Sequence, residues 1–210
     1  MRARLTAFAE QRTAMLAGVS HDLRTPLTRL KLQLAMLDQT DEIACARDDL
    51  NDMSKMLDEY LAFASGEEIE QAELVRLDQV AEATDDRIDR ARVVASMPIT
   101  VTARPAALAR TLANLINNAV GYGDMCEIRL IRGPRMAEIV IDDNGPGIAE
   151  DEREDAFRPF HRLEKARTQN VPGTGLGLTL ARDFAHAHGG DIRLEDNELG
   201  GLRVRLRLPY

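Results

Sequence analysis

His21 sits in the string Ser20-His21-Asp22-Leu23-Arg24-Thr25-Pro26. A neutral imidazole is a good nucleophile toward phosphorus, and the adjacent Asp22 can accept a hydrogen bond from one ring nitrogen and so fix the tautomer. Thr25, one helical turn further on, shares that face and can orient a water for the reverse hydrolysis. Pro26 has no N–H to donate and is expected to bend a helix just after the histidine. Taken alone, His21 reads more simply as a surface histidine beside a kink.

Four later segments suit a phosphate-bearing ligand. In Asn114-Leu115-Ile116-Asn117-Asn118-Ala119, Asn114 and Asn118 fall one turn apart on one helix face, where amide oxygens can ligate Mg²⁺ and touch phosphates, while Leu112 and Ile116 take the buried side. Asparagine is a poor residue within a helix, so its repetition is notable. Asp142-Asp143-Asn144-Gly145-Pro146-Gly147 follows the apolar run Ile139 to Ile141. Its glycines permit close backbone approach, and a carboxylate there can accept a hydrogen bond from an adenine amino group; Asp-Asn-Gly is also ordinary turn chemistry. Phe157-Arg158-Pro159-Phe160 reads as a pair of aromatics anchoring a loop and as the hinge of a lid running from Arg158 to Thr174. Gly173-Thr174-Gly175-Leu176-Gly177-Leu178 opens an amphipathic helix, whose first N–H groups can bind a triphosphate. The spacing matches neither a P-loop nor a dinucleotide-binding turn.

The elements that must carry these residues are legible from periodicity. Leu5, Phe8, Met15, Leu16, Val19, Leu23, Leu27, Leu30, Leu34 and Leu37 recur at helical spacing. The stripe starts without a capping residue, which suggests that sequence precedes it. Residues 38–41 break it and offer an N-cap. A second stripe follows in Ile43, Ala46, Leu50, Met53, Leu57, Tyr60, Leu61 and Ala64. Two helices joined by a short turn form a hairpin that cannot bury both stripes, so two copies are expected to pair as a four-helix bundle, a homodimer. Gly66 suits the residue after the second helix and marks the expected boundary between residues 1–66 and 67–210.

The second part alternates. Glu73 to Leu77 reads as a strand, and Asp78 caps a helix expected to reach Ala91. Ile99 to Thr102 is a strand, and Pro105 opens a helix to Ala119. Glu127 to Ile131 and Met136 to Ile141 flank Gly133-Pro134. Leu176 to His188 is a helix, and Asp191 to Glu195 and Leu202 to Leu208 flank Gly200-Gly201. Strands in hairpins with interspersed helices predict an α+β sandwich.

Composition bounds the alternatives. The chain has 210 residues, 44% hydrophobic and 30% charged, with no Trp and a net charge of −8. That is enough for two domains with helix-packed cores. No basic run marks a nucleic-acid binder. No run of about 18 apolar residues suits a membrane span, and no secretory leader is visible. Cys45 and Cys126 are far apart and lack metal-ligand spacing, so free thiols in a reducing, cytoplasmic setting are expected.

The string around His21 resembles the H-box of sensor histidine kinases, closest to the EnvZ osmosensor type. The four later segments resemble, in order, the N, G1, F and G2 boxes of that family's ATP-binding domain. The resemblance covers nearly the whole chain. It implies a Bergerat-type sandwich holding Mg-ATP, autophosphorylation of His21 with help from Asp22, and transfer to an Asp of a response-regulator receiver domain. It also implies phosphatase activity supported by Thr25, and placement as the cytoplasmic part of an inner-membrane sensor, without membrane contact in this segment. Within the pocket it implies that Asp143 reads the adenine and Tyr122 lies against the base. Asn114 and Asn118 bind phosphate, with Mg²⁺ on Asn118. Gly145, Gly147, Gly175 and Gly177 shape the pocket, and Gly173, Thr174, Leu176 and Leu178 join them in binding the nucleotide.

One position departs from the family pattern. A Lys or Arg usually precedes the aromatic at Tyr122, and here Gly121 does; Arg162, Lys165 or Arg167 in the lid can supply the charge. Gly121 also leaves room for a non-catalytic dimeric scaffold. ATPases of the gyrase and chaperone group use a Glu at the place of Asn114, and Asn cannot take a proton from water. A serine kinase of the anti-sigma type would lack the His hairpin.

Overall fold

A computed structural model describes residues 22–37, 40–65, 70–85, 88, 90–161 and 174–210. His21, Gly66, Arg162, Lys165, Arg167 and Gly173 lie outside the described residues, as does the apolar stripe before residue 22. The chain divides into two compact units, Met1–Glu68 and Ile69–Tyr210.

In the first unit, helix α1 is described over residues 22–35 and runs through Pro26. Helix α2 spans Asp41–Ser65. Within the break at residues 38–41, the cap is Thr40, whose Oγ1 accepts the N–H of Ile43 at 3.4 Å. Asp41 and Glu42 then place negative charge against the positive end of the helix dipole. Leu50 is buried, yet Leu23, Leu30, Leu37 and Met53 are 45–54% exposed. A single hairpin thus leaves much of its apolar stripe uncovered.

Among the described residues the second unit has seven strands: β1 (Glu73–Arg76), β2 (Ala91–Ala95), β3 (Thr100–Ala103), β4 (Cys126–Arg132), β5 (Met136–Asp143), β6 (Asp191–Asp196) and β7 (Leu202–Pro209). Three α-helices are described with them: α3 (Leu77–Asp85), α4 (Pro105–Tyr122) and α5 (Gly177–Ala187). β1 and β3 form a small antiparallel pair, and the main sheet has the order β2-β4-β5-β7-β6, antiparallel except for β2 against β4.

Strand alternation sorts the residues of this sheet onto two faces. Ile128 and Leu130 of β4, Ile139 and Ile141 of β5, and Val204, Leu206 and Leu208 of β7 enter one core with Leu108, Leu112, Leu115 and Ile116 of α4 and Phe184 of α5. The intervening residues build an ion-pair lattice on the other face. Arg129 and Arg203 hold Asp142, Arg205 joins Glu138 to Glu195, and Arg207 holds Asp191. Val140 is nonetheless 1% exposed, because long arginine stems cover apolar surface while their heads stay wet.

The expected helix from Asp78 to Ala91 is corrected: α3 stops at Asp85, and Ala91–Ala95 is a strand paired in parallel with β4. Arg76 and Asp78 form a hydrogen-bonded ion pair at the start of α3. That pair holds the Asp78 carboxyl below the usual carboxylate range.

Candidate functional site

α4 starts at Pro105 without a side-chain cap from its N-cap residue, Arg104. The cap comes from far along the chain: the carboxylate of Glu70 accepts the N–H groups of Ala106 at 2.7 Å and Ala107 at 3.1 Å. Such a cap is worth about 1 kcal/mol. At the same end of α4, the Nε2 of His188, just past α5, accepts the N–H of Arg104 at 3.1 Å, while its Nδ1 bonds the carbonyl of Phe184 at 2.8 Å. These ties fix the helix that carries the asparagines.

With Leu108, Leu112, Leu115, Ile116 and Ala119 buried, the polar face of α4 turns to the start of α5. A Cβ on Gly177 would lie 3.3 Å from Asn118 Nδ2 and 3.8 Å from Asn114 Cβ. Asn118, Tyr122, Asp143, Gly147, His161 and Leu178 line one cavity, whose remaining wall includes Leu115, Ile148 and Val204. An apolar slot with a few polar groups at defined points is the usual form of a small-molecule site.

Asp143 ends β5 on the inner face, in line with Ile139 and Ile141. Its Oδ1 accepts two backbone N–H groups, from Gly145 at 2.8 Å and Leu202 at 3.1 Å. No described residue donates to its Oδ2. Burial pushes the Asp143 carboxyl up, against the opposing pull of those two donors.

The opposite lip is made by residues 157–161 and 174–178. Phe157 is buried; its carbonyl accepts the hydroxyl of Thr179 at 2.9 Å, and the Arg182 guanidinium lies 4.6 Å from its ring centre. Phe160 departs from the expected pair of anchors, being 55% exposed with φ +60°. Its N–H donates to the carbonyl of Gly175 at 3.1 Å. Gly175 has φ +73°, and a Cβ there would press to 3.0 Å on the His161 carbonyl, so this position needs glycine on both counts. Thr174 Oγ1 accepts the N–H of Leu176 at 3.2 Å. The Leu176 side chain is wholly buried, so only its backbone can face a ligand.

Among the described residues, two buried side-chain nitrogens have no hydrogen-bond partner, Asn114 Nδ2 and His161 Nδ1. A buried polar group left unpaired costs about 1–3 kcal/mol, and groups of this kind fit a ligand rich in acceptor oxygens such as a nucleotide. His161 had no signal in the sequence, being one residue beyond the Phe157–Phe160 segment. Of the other sequence-derived candidates, Gly145 packs against Tyr122 and Asp143. Asp22 and Thr25 lie on α1, in the other unit. Among the described residues no group of three or more His, Cys, Asp or Glu is placed to hold a metal ion. No described helix is long and apolar enough to cross a membrane.

Known families and structures show what the chain is similar to. Residues 103–210 match the family described as histidine kinase-, DNA gyrase B- and HSP90-like ATPase. Residues 11–69 match the His Kinase A (phospho-acceptor) domain. The chain is 35% identical to the sensor histidine kinase GtrS of Pseudomonas aeruginosa over 216 residues, covering 100% of this chain and 44% of GtrS. It is 30% identical to the sensor histidine kinase CpxA of Escherichia coli, covering 93% of this chain and 46% of CpxA. The chain therefore spans about half the length of the curated relatives it matches. Among solved structures, the ATP-binding domain of PrrB from Mycobacterium tuberculosis aligns with a TM-score of 0.56 at 30% identity, covering 66% of this chain and 97% of that one. Full-length ShkA in complex with AMPPNP aligns with a TM-score of 0.69 at 26% identity, covering 94% and 46%.

Proposed function

The chain belongs to the sensor histidine kinases, an acceptor domain followed by an ATP-binding domain, and on that premise we propose that it moves the γ-phosphoryl group of ATP to its own His21 and then to a response-regulator Asp. The observation that carries the reading is one cavity that gathers Asn118 and Tyr122 of α4 with Asp143 and Gly147, two pairs drawn from segments that are separate in sequence.

In this reading Asp143 Oδ2 accepts the adenine amino group and Tyr122 lies along the base. Asn114 and Asn118 meet the phosphates, with Asn118 as the protein ligand of Mg²⁺. The scarcity of carboxylates at the site suits a cation held mainly by phosphate oxygens and water. Bound there, Mg²⁺ neutralises charge on the phosphates. The protein's task is positioning and charge compensation. A ring nitrogen of His21 attacks the γ-phosphorus in line, the bond to the β-phosphate bridging oxygen breaks, and ADP leaves. Asp22 holds the proton on the other ring nitrogen. The phosphoryl group next passes to the receiver carboxylate, and Thr25 orients the water that later removes it.

We assign residues 1–66 to acceptance and dimerisation and 67–210 to nucleotide binding. The uncovered Leu23, Leu30, Leu37 and Met53 support a homodimer in which two hairpins form a four-helix bundle, with the receiver docking on the paired helices. The proteins it resembles are sensors, so this part is assigned to the cytoplasmic side of an inner-membrane protein. Incubation with γ-labelled ATP tests the reading: acid-labile, base-stable label should appear. Gly121 supports one alternative, a dimeric scaffold without catalysis, which would take up no label.

A further inference from the structure

The side chain of Asn197 makes four hydrogen bonds around the β6–β7 turn. Its Oδ1 accepts the N–H groups of Leu199 and Gly201, both at 2.9 Å. Its Nδ2 donates to the carbonyls of Asp143 at 2.7 Å and Leu202 at 2.9 Å. Two donors face the oxygen and two acceptors face the nitrogen, so the amide orientation is fixed by its partners and its hydrogen-bonding capacity is well used.

The consequence reaches the cavity. The same turn delivers the Leu202 N–H to Asp143 Oδ1, at 3.1 Å. Gly201 passes so close that a Cβ would lie 2.6 Å from that oxygen. Asn197 thus ties the turn to the backbone of the residue whose carboxylate the turn occupies. With Oδ1 taken by Leu202 and Gly145, the carboxylate cannot rotate without losing both bonds, and Oδ2 is the oxygen left for a ligand.

We propose that Asn197 is a positioning residue for base recognition, holding the β6–β7 turn so that Asp143 presents Oδ2 to the exocyclic amino group of a purine. The inference rests on the reading that Asp143 contacts that group. Its specificity content is therefore the difference between adenine and a purine lacking the amino group, not overall nucleotide affinity. Asn197→Asp separates the two ends of the clamp. It keeps an acceptor for Leu199 and Gly201 but replaces the donor to Asp143 and Leu202 with an oxygen that repels both carbonyls.

The test is calorimetric binding of Mg-ADP and of Mg-purine riboside diphosphate, which has hydrogen in place of the 6-amino group, to the 210-residue chain. Wild type should prefer ADP by about tenfold, the weight of one hydrogen bond to a charged acceptor. In Asn197→Asp that preference should collapse to about twofold, with the affinity for the purine riboside ligand unchanged. Asn197→Ala, which removes the donor to the Asp143 carbonyl without adding charge, should do likewise and serves if the first variant melts below the assay temperature. Preserved preference in either folded variant, or equal weakening of both ligands, would overturn the role of Asn197 while leaving Asp143 in place. Absence of any preference in wild type would instead overturn the Asp143 reading, and this inference with it.

Discussion

Asp142 and Asp143 are neighbours in β5 whose carboxylates serve opposite faces of one sheet. Asp142 is held by Arg129 and Arg203 in the ion-pair lattice. Asp143 lines the cavity, with its Oδ1 bound by Gly145 and Leu202. One step along a strand separates a stabilising carboxylate from a ligand-facing one.

Neutralising each should therefore have different effects. Asp142→Asn should cost about 2 kcal/mol of stability, because two guanidinium groups lose their charged acceptor, with little change in nucleotide preference. Asp143→Asn keeps an oxygen for Gly145 and Leu202, so it should fold normally and lose the preference for an adenine amino group. Urea denaturation and ADP titration of both variants check this.

The pH dependence of stability should carry opposite contributions. Asp78 beside Arg76 and Glu195 beside Arg205 are held below the ordinary carboxylate range. Their contribution is present above about pH 4 and is lost as pH falls through their lowered folded values. Asp143 is raised by burial, so its contribution is full below about pH 4 and is lost as pH rises through its raised value. Asp143→Asn should thus be more stable than wild type at neutral pH, and the gap should close on acidification. Denaturation midpoints across the acid-to-neutral range check it; a gap that widens on acidification would contradict the sign.

Asn118→Asp should abolish labelling from γ-labelled ATP, by about a hundredfold or more. The variant places a negative charge where the phosphates are assigned. Its melting temperature should stay near that of wild type, because Asn118 lies outside the packed face of α4. Intact labelling would remove Asn118 from the Mg²⁺ site.

Thr25→Ala should slow removal of phosphate from a phosphorylated receiver by about tenfold while leaving autophosphorylation within about twofold. Equal loss of both would exclude a water-orienting role.

Much of this was legible from local pattern. Pro105 marked the start of α4, and the runs on either side of Gly133-Pro134 and Gly200-Gly201 stood close to where β4, β5, β6 and β7 lie. The parallel strand β2 was not legible. The stretch from Arg90 to Ala95 contains neither Gly nor Pro to break the preceding helix, and its pairing with β4 is decided by tertiary contact. Glu70 and Asn197 escaped for a related reason. Glu70 caps a helix 36 residues away, and Asn197 binds the carbonyl of Asp143, 54 residues away. In sequence both are ordinary polar residues beside a boundary and a turn. His161 is visible only once its ring nitrogen is seen buried in the cavity wall without a partner.

The central claim is that a phosphoryl group from nucleotide bound in this cavity reaches His21. Incubating wild type and His21→Ala with γ-labelled ATP and Mg²⁺ tests it most directly, with the acid and base stability of any label recorded. The account predicts acid-labile, base-stable label on wild type and none on His21→Ala. Equal label on both proteins, or acid-stable label on wild type, would contradict it.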